Sequence, residues 1–151
     1  MRKMILAAAT MATLATARET GAETADQGPI RVRYIVTDVQ AAVGFYTKEL
    51  GFRVLMQSGP VFAILSRGNL QLLLSPTHGP GGASQPMPNG DRPVPGGWNR
   101  LVIYTKDVKG DYERLKLDGA HLRSEPIAGP GGTEVLVDDP SGNPVELFQP
   151  G

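Results

Sequence analysis

Two arginines in matching surroundings carry the clearest chemical signal in this chain. Arg31 opens the run Arg-Val-Arg-Tyr-Ile-Val-Thr-Asp ending at Asp38, and Arg100 opens Arg-Leu-Val-Ile-Tyr-Thr-Lys-Asp ending at Asp107. Arg and Asp are thus seven apart in both runs. A guanidinium is permanently protonated, offers a planar fork of donors and has no lone pair for a cation. It suits carboxylate, phosphate or enolate oxygens, which it grips through two parallel hydrogen bonds. Other chemistries are restricted by composition. The chain has no cysteine, which removes disulfides, thiolate nucleophiles, zinc-thiolate sites and iron–sulfur clusters. It has two histidines, His78 and His121. His78, in a Pro/Gly-rich stretch, suits either a solvated loop residue or an acid/base group over a cavity, and His121 reads as a surface residue at a strand start. Gly129-Pro130-Gly131-Gly132 lacks the lysine and helix of a phosphate loop and reads as a hairpin turn. Asp138-Asp139, followed by Pro140-Ser141-Gly142-Asn143, reads as part of a turn rather than a catalytic carboxylate pair. No Ser–His–Asp constellation and no dinucleotide fingerprint can be inferred.

The elements that position these residues follow one pattern written twice. Each arginine-led run reads as a strand entering a helix whose N-cap is Asp38 or Asp107. The first helix is predicted from Val39 to Leu50 with Gly51 as terminator, the second from Val108 to Leu117 with Gly119 in that role. Three strands follow the first helix: Phe52–Gln57, Val61–Ser66 and Leu70–Ser75. Three follow the second: His121–Pro126, Glu134–Asp138 and Pro144–Gln149. The predicted fold class is therefore α+β, with two βαβββ modules over residues 29–75 and 98–150. Strand alternation puts Val32, Tyr34 and Val36 on the helix side and Arg31, Arg33 and Ile35 on the other. By the same parity Leu101 and Ile103 are core, Arg100, Val102 and Tyr104 face away, and Glu146 shares a face with Phe148, as Gln71 does with Leu73.

Residues 76–97 link the halves, and twelve of these twenty-two are Pro or Gly. Such a stretch forms neither a helix nor a central strand. It is read as a flexible linker, with a lid or binding segment as the alternative. Residues 1–27 stand apart. Arg2 and Lys3 precede an uncharged run from Met4 to Ala17, and Ala15-Thr16-Ala17 supplies a small-residue exit, as in a secretory signal. Export to the periplasm or outside is expected on this reading. The alternatives are a cytoplasmic protein with a disordered leader, or a start codon set too far upstream. The apolar run is too short for a stable membrane span. The remainder, residues 28–151, is read as one domain. Fifteen basic residues balance fifteen acidic ones, which argues for neither nucleic acid nor anionic membrane as a partner.

The paired βαβββ pattern, the Asp before each first helix, Phe45-Tyr46 with Leu50-Gly51-Phe52, and the Asp139-Pro-Ser-Gly-Asn-Pro-Val-Glu-Leu-Phe148 run resemble the vicinal oxygen chelate superfamily. That family includes glyoxalase I, extradiol dioxygenases, fosfomycin-modifying enzymes and bleomycin-binding resistance proteins. The resemblance covers roughly residues 29–150. It implies curved mixed sheets around a shared cavity with the helices outside, and it makes a homodimer an expectation. Metal-dependent relatives place ligands near the start of each module's first strand and in each module's last strand. Those places fall here on Arg31, on Gln71 or Leu73, on Arg100 and on Glu146. Only Glu146 is a strong ligand, and a cation there would meet two guanidinium groups.

Three readings of the arginines remain open. Arg31, Arg100 and Glu146 form an anion-recognising pocket, or an internal ion-pair network in which arginine replaces metal, or exposed strand ends. The first is preferred, with ligand-binding candidates Arg31, Arg33, Gln71, Trp98, Arg100 and Phe148, and catalytic candidates Glu146 and Tyr104. Glu134 is a weaker neighbour of Glu146. The expected function is binding or transformation of a small anionic or aromatic molecule, with no cofactor. The alternatives are a metal-dependent lyase, isomerase or dioxygenase of the glyoxalase I type, with Glu146 and Gln71 on a divalent ion, and a non-catalytic interaction module.

Overall fold

A computed structural model describes residues 29–151 of the 151-residue chain. The leader read at residues 1–27 lies outside the described residues. The first module begins with β1 (Ile30–Val36) and passes through Asp38 into α1 (Val39–Lys48). The Asp38 carboxylate accepts the Ala41 amide at 3.0 Å, satisfying one of the orphan donors at the helix start. α1 buries Val39, Ala42, Val43 and Tyr46. It stops two residues before the expected Leu50, because Glu49 caps it and Gly51, at φ +66°, turns the chain. β2 (Arg53–Ser58), β3 (Phe62–Arg67) and β4 (Leu70–Pro76) complete the module. The sheet order is β1-β4-β3-β2, with β1 and β4 parallel.

The second module repeats this plan with β5 (Leu101–Tyr104), α2 (Val108–Leu117), β8 (Gly132–Asp138) and β9 (Pro144–Pro150). Asp107 caps α2 by accepting the Gly110 amide at 2.9 Å. One expectation is corrected here. The strand predicted over His121–Pro126 is split into β6 (His121–Leu122) and β7 (Ile127–Gly129), both paired with β8. Between Leu122 and Ile127 the chain advances five residues while their partners Val137 and Glu134 are three apart. The surplus bulges out at Ser124 to Pro126, where proline has no amide to give the ladder. The second sheet therefore has five strands, in the order β5-β9-β8-β6 with β7 on β8.

One apolar cluster runs through both modules, from Val36, Tyr46 and Leu72 to Leu115, Val137 and Leu147. The two sheets do not close on each other. They are joined instead through β1 and the turn Asp139–Asn143. The Tyr34 hydroxyl accepts the Leu101 amide at 3.0 Å and donates to the Pro144 carbonyl at 3.3 Å. The Asn143 amide donates to the Ile35 carbonyl at 2.9 Å, and the Thr37 amide donates to Ser141 Oγ at 2.9 Å. The segment 76–97 contains a single 3-10 turn, Gly82–Ser84. Its Ser84 hydroxyl donates to the Pro76 carbonyl at 2.6 Å, which folds the segment back on the end of β4. No helix among the described residues is long and apolar enough to cross a membrane.

Gly132 shows how tightly β8 and β9 meet. Its φ is +148°, and a Cβ added there would lie 2.1 Å from the Gln149 carbonyl oxygen. Gly132→Ala is expected to cost about 2 kcal/mol or more, as backbone strain and steric overlap combine. Urea unfolding of the two proteins measures it.

Candidate functional site

Strand parity places the polar candidates on the sheet faces opposite the helices. On the first sheet Arg31 stands beside Gln71 and Arg33 beside Leu73. Arg31 Nε donates to Gln71 Oε1 at 2.9 Å, in an exposed position. Arg33 is held more elaborately. Its Nη1 donates to Ser75 Oγ at 2.5 Å, and its guanidinium carbon lies 5.7 Å from the centroid of the Phe62 ring. These groups border a cavity of about 410 Å3. Met56, Val61 and Phe62 supply its apolar wall, and the segment from Pro80 to Ser84 forms its other side. The linker read as flexible is thus, at its 3-10 turn, one wall of a cavity. His78 is exposed and is not part of that wall.

On the second sheet Val102 aligns with Glu146 and Tyr104 with Phe148. Arg100 Nε donates to Glu146 Oε2 at 2.6 Å, a charge-assisted bond between a carboxylate only 10% exposed and a guanidinium 31% exposed. The rings of Tyr104 and Phe148 meet edge to face with centroids 5.8 Å apart. Glu134 is paired with Phe148 and Leu136 with Glu146, so Glu134 shares this face. Tyr104 is 69% exposed and Trp98 75% exposed. Trp98 instead carries the Arg123 guanidinium over its ring at 5.2 Å. The candidates are therefore brought together in pairs: Arg31 with Gln71, Arg100 with Glu146, Tyr104 with Phe148. Among the described residues no hydrogen bond or ion pair joins Arg31 to Arg100 or to Glu146.

The register also answers which first-module residue corresponds to Glu146. Arg31 and Arg100 occupy equivalent places, so Arg33 corresponds to Val102, and its neighbour Leu73 corresponds to Glu146. The four positions at which a metal would be expected are then Arg31, Leu73, Arg100 and Glu146. That set offers one oxygen-bearing side chain, already engaged by a guanidinium. Gln71 lies nearby, but its side-chain oxygen accepts from Arg31. Among the described residues no group of three or more His, Asp or Glu side chains could hold a metal ion.

A second polar cluster was not legible as one in the sequence. Asp138 is the last residue of β8, where the predicted strand Glu134–Asp138 ends, and it is buried. Its carboxylate meets His121 Nδ1 at 2.8 Å and accepts from Arg123 Nε at 2.6 Å. Asp139, 3% exposed, accepts the amides of Ser141 and Asn143, the Asn143 side chain and the Tyr46 hydroxyl. Burial pushes the Asp139 carboxyl above the usual aspartate range, although the hydrogen bonds from Asn143, Ser141 and Tyr46 pull the other way. Burial and the facing Asp139 charge likewise push the Tyr46 hydroxyl far up. The signal available in the sequence was the Asp139-Pro-Ser-Gly-Asn143 turn, which says nothing about the tyrosine that closes the network from α1.

Comparison with known proteins bears on the fold and family. A family model described as Glyoxalase/Bleomycin resistance protein/Dioxygenase superfamily matches residues 28–147. A search of curated proteins returned no match. Among solved structures, TnmS3, an antibiotic binding protein from Streptomyces sp. CB03234, is 28% identical with a TM-score of 0.61, covering 80% of this chain and 93% of its own. Lactoylglutathione lyase from Agrobacterium tumefaciens is 21% identical with a TM-score of 0.61, over 82% of this chain and 93% of the other. TioX from Micromonospora sp. ML1 is 21% identical with a TM-score of 0.63, over 81% and 98%.

Two measurements test the site's electrostatics. Arg100→Met leaves the buried Glu146 carboxylate without its partner and should cost about 1–3 kcal/mol by urea unfolding, whereas Arg31→Met, at an exposed bond, should cost less than about 0.5 kcal/mol. Equal losses would show that burial of the acceptor does not govern the pair. For Asp139, a native carboxyl with raised proton affinity stabilises the fold fully at pH values below the unfolded aspartate's titration. That contribution disappears as pH rises through the native midpoint. Carbon-detected NMR titration should accordingly place the Asp139 midpoint above that of an aspartate in an unfolded peptide.

Proposed function

The chain belongs to the glyoxalase/bleomycin resistance protein/dioxygenase superfamily, and from that premise we propose that it binds or transforms a small anionic or aromatic molecule without the family's metal. The carrying observation is the cavity of about 410 Å3 at Arg33, within the size range of small-molecule pockets. Its apolar wall suits a flat or branched hydrocarbon body, and its one charged side chain suits an anionic or electron-rich group. Ser75 and the Phe62 ring fix the guanidinium, so little side-chain freedom is lost when a ligand arrives. The remaining guanidinium donors are then available for an oxygen pair. Tyr104, Phe148, Trp98 and the Arg100–Glu146 pair extend the same reading to the second sheet, with Glu146 and Tyr104 as the groups able to move a proton if there is turnover.

The donor set supports working without a metal. A divalent cation at the family positions would find one carboxylate, an aliphatic side chain and two guanidinium groups, which fits neither the ligand number nor the charge such ions require. The likeness to TnmS3, an antibiotic binding protein, supports a binding role over a catalytic one. An interaction module with a filled core is disfavoured by the open cavity.

The test combines metal analysis with an aromatic carboxylate as probe. Calorimetric titration with 1-naphthoate should give saturable binding that survives chelator dialysis and weakens about tenfold or more in Arg33→Met, as expected when a charge-assisted contact is removed. Stoichiometric transition metal in the native protein, lost in Glu146→Gln, would favour the metal-dependent lyase or dioxygenase reading instead. Consumption of a bound compound would assign an enzyme.

A further inference from the structure

A separate cavity lies on the helix side of the molecule and shares no lining residue with the one at Arg33. It measures about 600 Å3. Its first wall is a second stripe of α1. While Val39, Ala42, Val43 and Tyr46 face the sheet, Ala41, Gly44, Phe45 and Lys48 follow the i, i+3, i+4, i+7 spacing of a single helix face and line the cavity. Two of these four are the smallest residues available, and the third is a half-buried aromatic ring resting edge to face on Tyr46. A Cβ added at Gly44 would meet nothing within 4 Å, so the space beside the helix is open rather than filled by neighbours. The opposite wall is the turn after α2, from Asp118 to His121, and the floor is formed by Asp138, Asp139 and Pro140.

The charges around this space have one sign in excess. Four carboxylates line it: Glu49, Asp118, Asp138 and Asp139. Glu49 is bridged by Arg114 and Lys48, Asp118 by Lys48, and Asp138 by Arg123. Asp139 accepts only neutral donors, from Tyr46, Ser141 and Asn143. Three cations thus face four carboxylates around a cleft with one aromatic wall residue, Phe45. His121, held through Nδ1 by Asp138, adds an imidazole at the rim whose side chain is 76% exposed. We propose that this cleft is a second binding site, for a small protonated amine with an aromatic or branched apolar body. The body lies on Phe45 and along the small-residue stripe. The ammonium lies toward Asp118, whose carboxylate is part-exposed and bridged, among the described residues, only by Lys48 at 3.5 Å, and the unbalanced charge of the buried Asp139 adds to the attraction from further off. The site is independent of the anion-recognising cavity, and its ligand carries the opposite charge.

The experiment uses phenethylamine as probe and phenylacetate as its anionic counterpart of similar size, titrated into the isotopically labelled protein and followed by amide NMR. Phenethylamine should shift the amides of Gly44, Gly119, Ala120 and Gly142 with millimolar affinity, while phenylacetate leaves them in place. Gly44→Leu occupies the space from an exposed helix position and should weaken amine binding about tenfold or more without loss of fold, since leucine favours helix over glycine. Asp118→Lys provides a second variant, at an exposed position, and should also weaken the amine several-fold by reversing the charge of the rim. Equal shifts with both probes, no shift with the amine at millimolar concentration, or unchanged amine affinity in both variants would overturn the proposal.

Discussion

The buried carboxylate of Asp139 is the constraint from which the arrangement of this molecule follows. A carboxylate away from water must have its lone pairs filled, and this one takes hydrogen bonds from its own turn and from the Tyr46 hydroxyl of α1. One half of the chain thereby supplies the acceptor and the other half a donor. The same turn then sends the Asn143 side chain to the backbone of β1 and receives the Thr37 amide on Ser141. The polar ties concentrate where the two modules meet, so the angle between the sheets is set by directional bonds. Apolar contact alone, which is indifferent to modest sliding, would not set it.

With the modules fixed in this way, each sheet turns one face to its helix and the other away from it. Alternation forces the residues at Arg31, Arg33, Arg100 and Glu146 onto the second kind of face. What those faces can do then depends on charge sign rather than on backbone shape. A fold shared by an antibiotic binding protein and a lactoylglutathione lyase constrains geometry, while the chemistry follows from which side chains occupy equivalent places. Here two of those places are cationic and one is leucine. The single carboxylate, Glu146, is committed to Arg100, and the better preorganised cation, Arg33, sits one alternation further along β1.

Much of this was legible in the sequence because it rests on local or periodic signals. The Asp38 and Asp107 caps, the α2 boundaries and the alternation in β1, β5 and β9 are all written within a few residues of where they act. The features that escaped depend on distant partners. Nothing near Asp138 announces that His121 and Arg123 will reach it, because that pairing exists only once β6 lies against β8. The break at Pro126 was visible as a proline, but its effect on the ladder depends on the spacing of the opposing strand. The Pro/Gly segment offered no periodicity from which to place its 3-10 turn beside Arg33, and the hydroxyl that fastens it, Ser84, bonds a carbonyl eight residues earlier. Phe45 looked like part of a motif, and its second place, in the wall of a cleft, appears only when the turn after α2 stands opposite it.

A neutral chain can still divide its charge locally, and this one does. Fifteen basic and fifteen acidic residues cancel in total, but they are not mixed evenly over the surface. The faces away from the helices carry Arg31, Arg33 and Arg100 against Glu134 and Glu146, while the cleft between the helices gathers Glu49, Asp118, Asp138 and Asp139. Net charge is therefore the wrong quantity for reading this protein's ligands. It governs solubility and long-range attraction, which act over a Debye length of about 8 Å at physiological salt. Recognition inside a half-buried cavity is set within a few ångströms by charge that no ion pair balances. On the sheet face the proposed site offers a guanidinium, and on the helix side a surplus carboxylate, so the two proposals call for ligands of opposite sign.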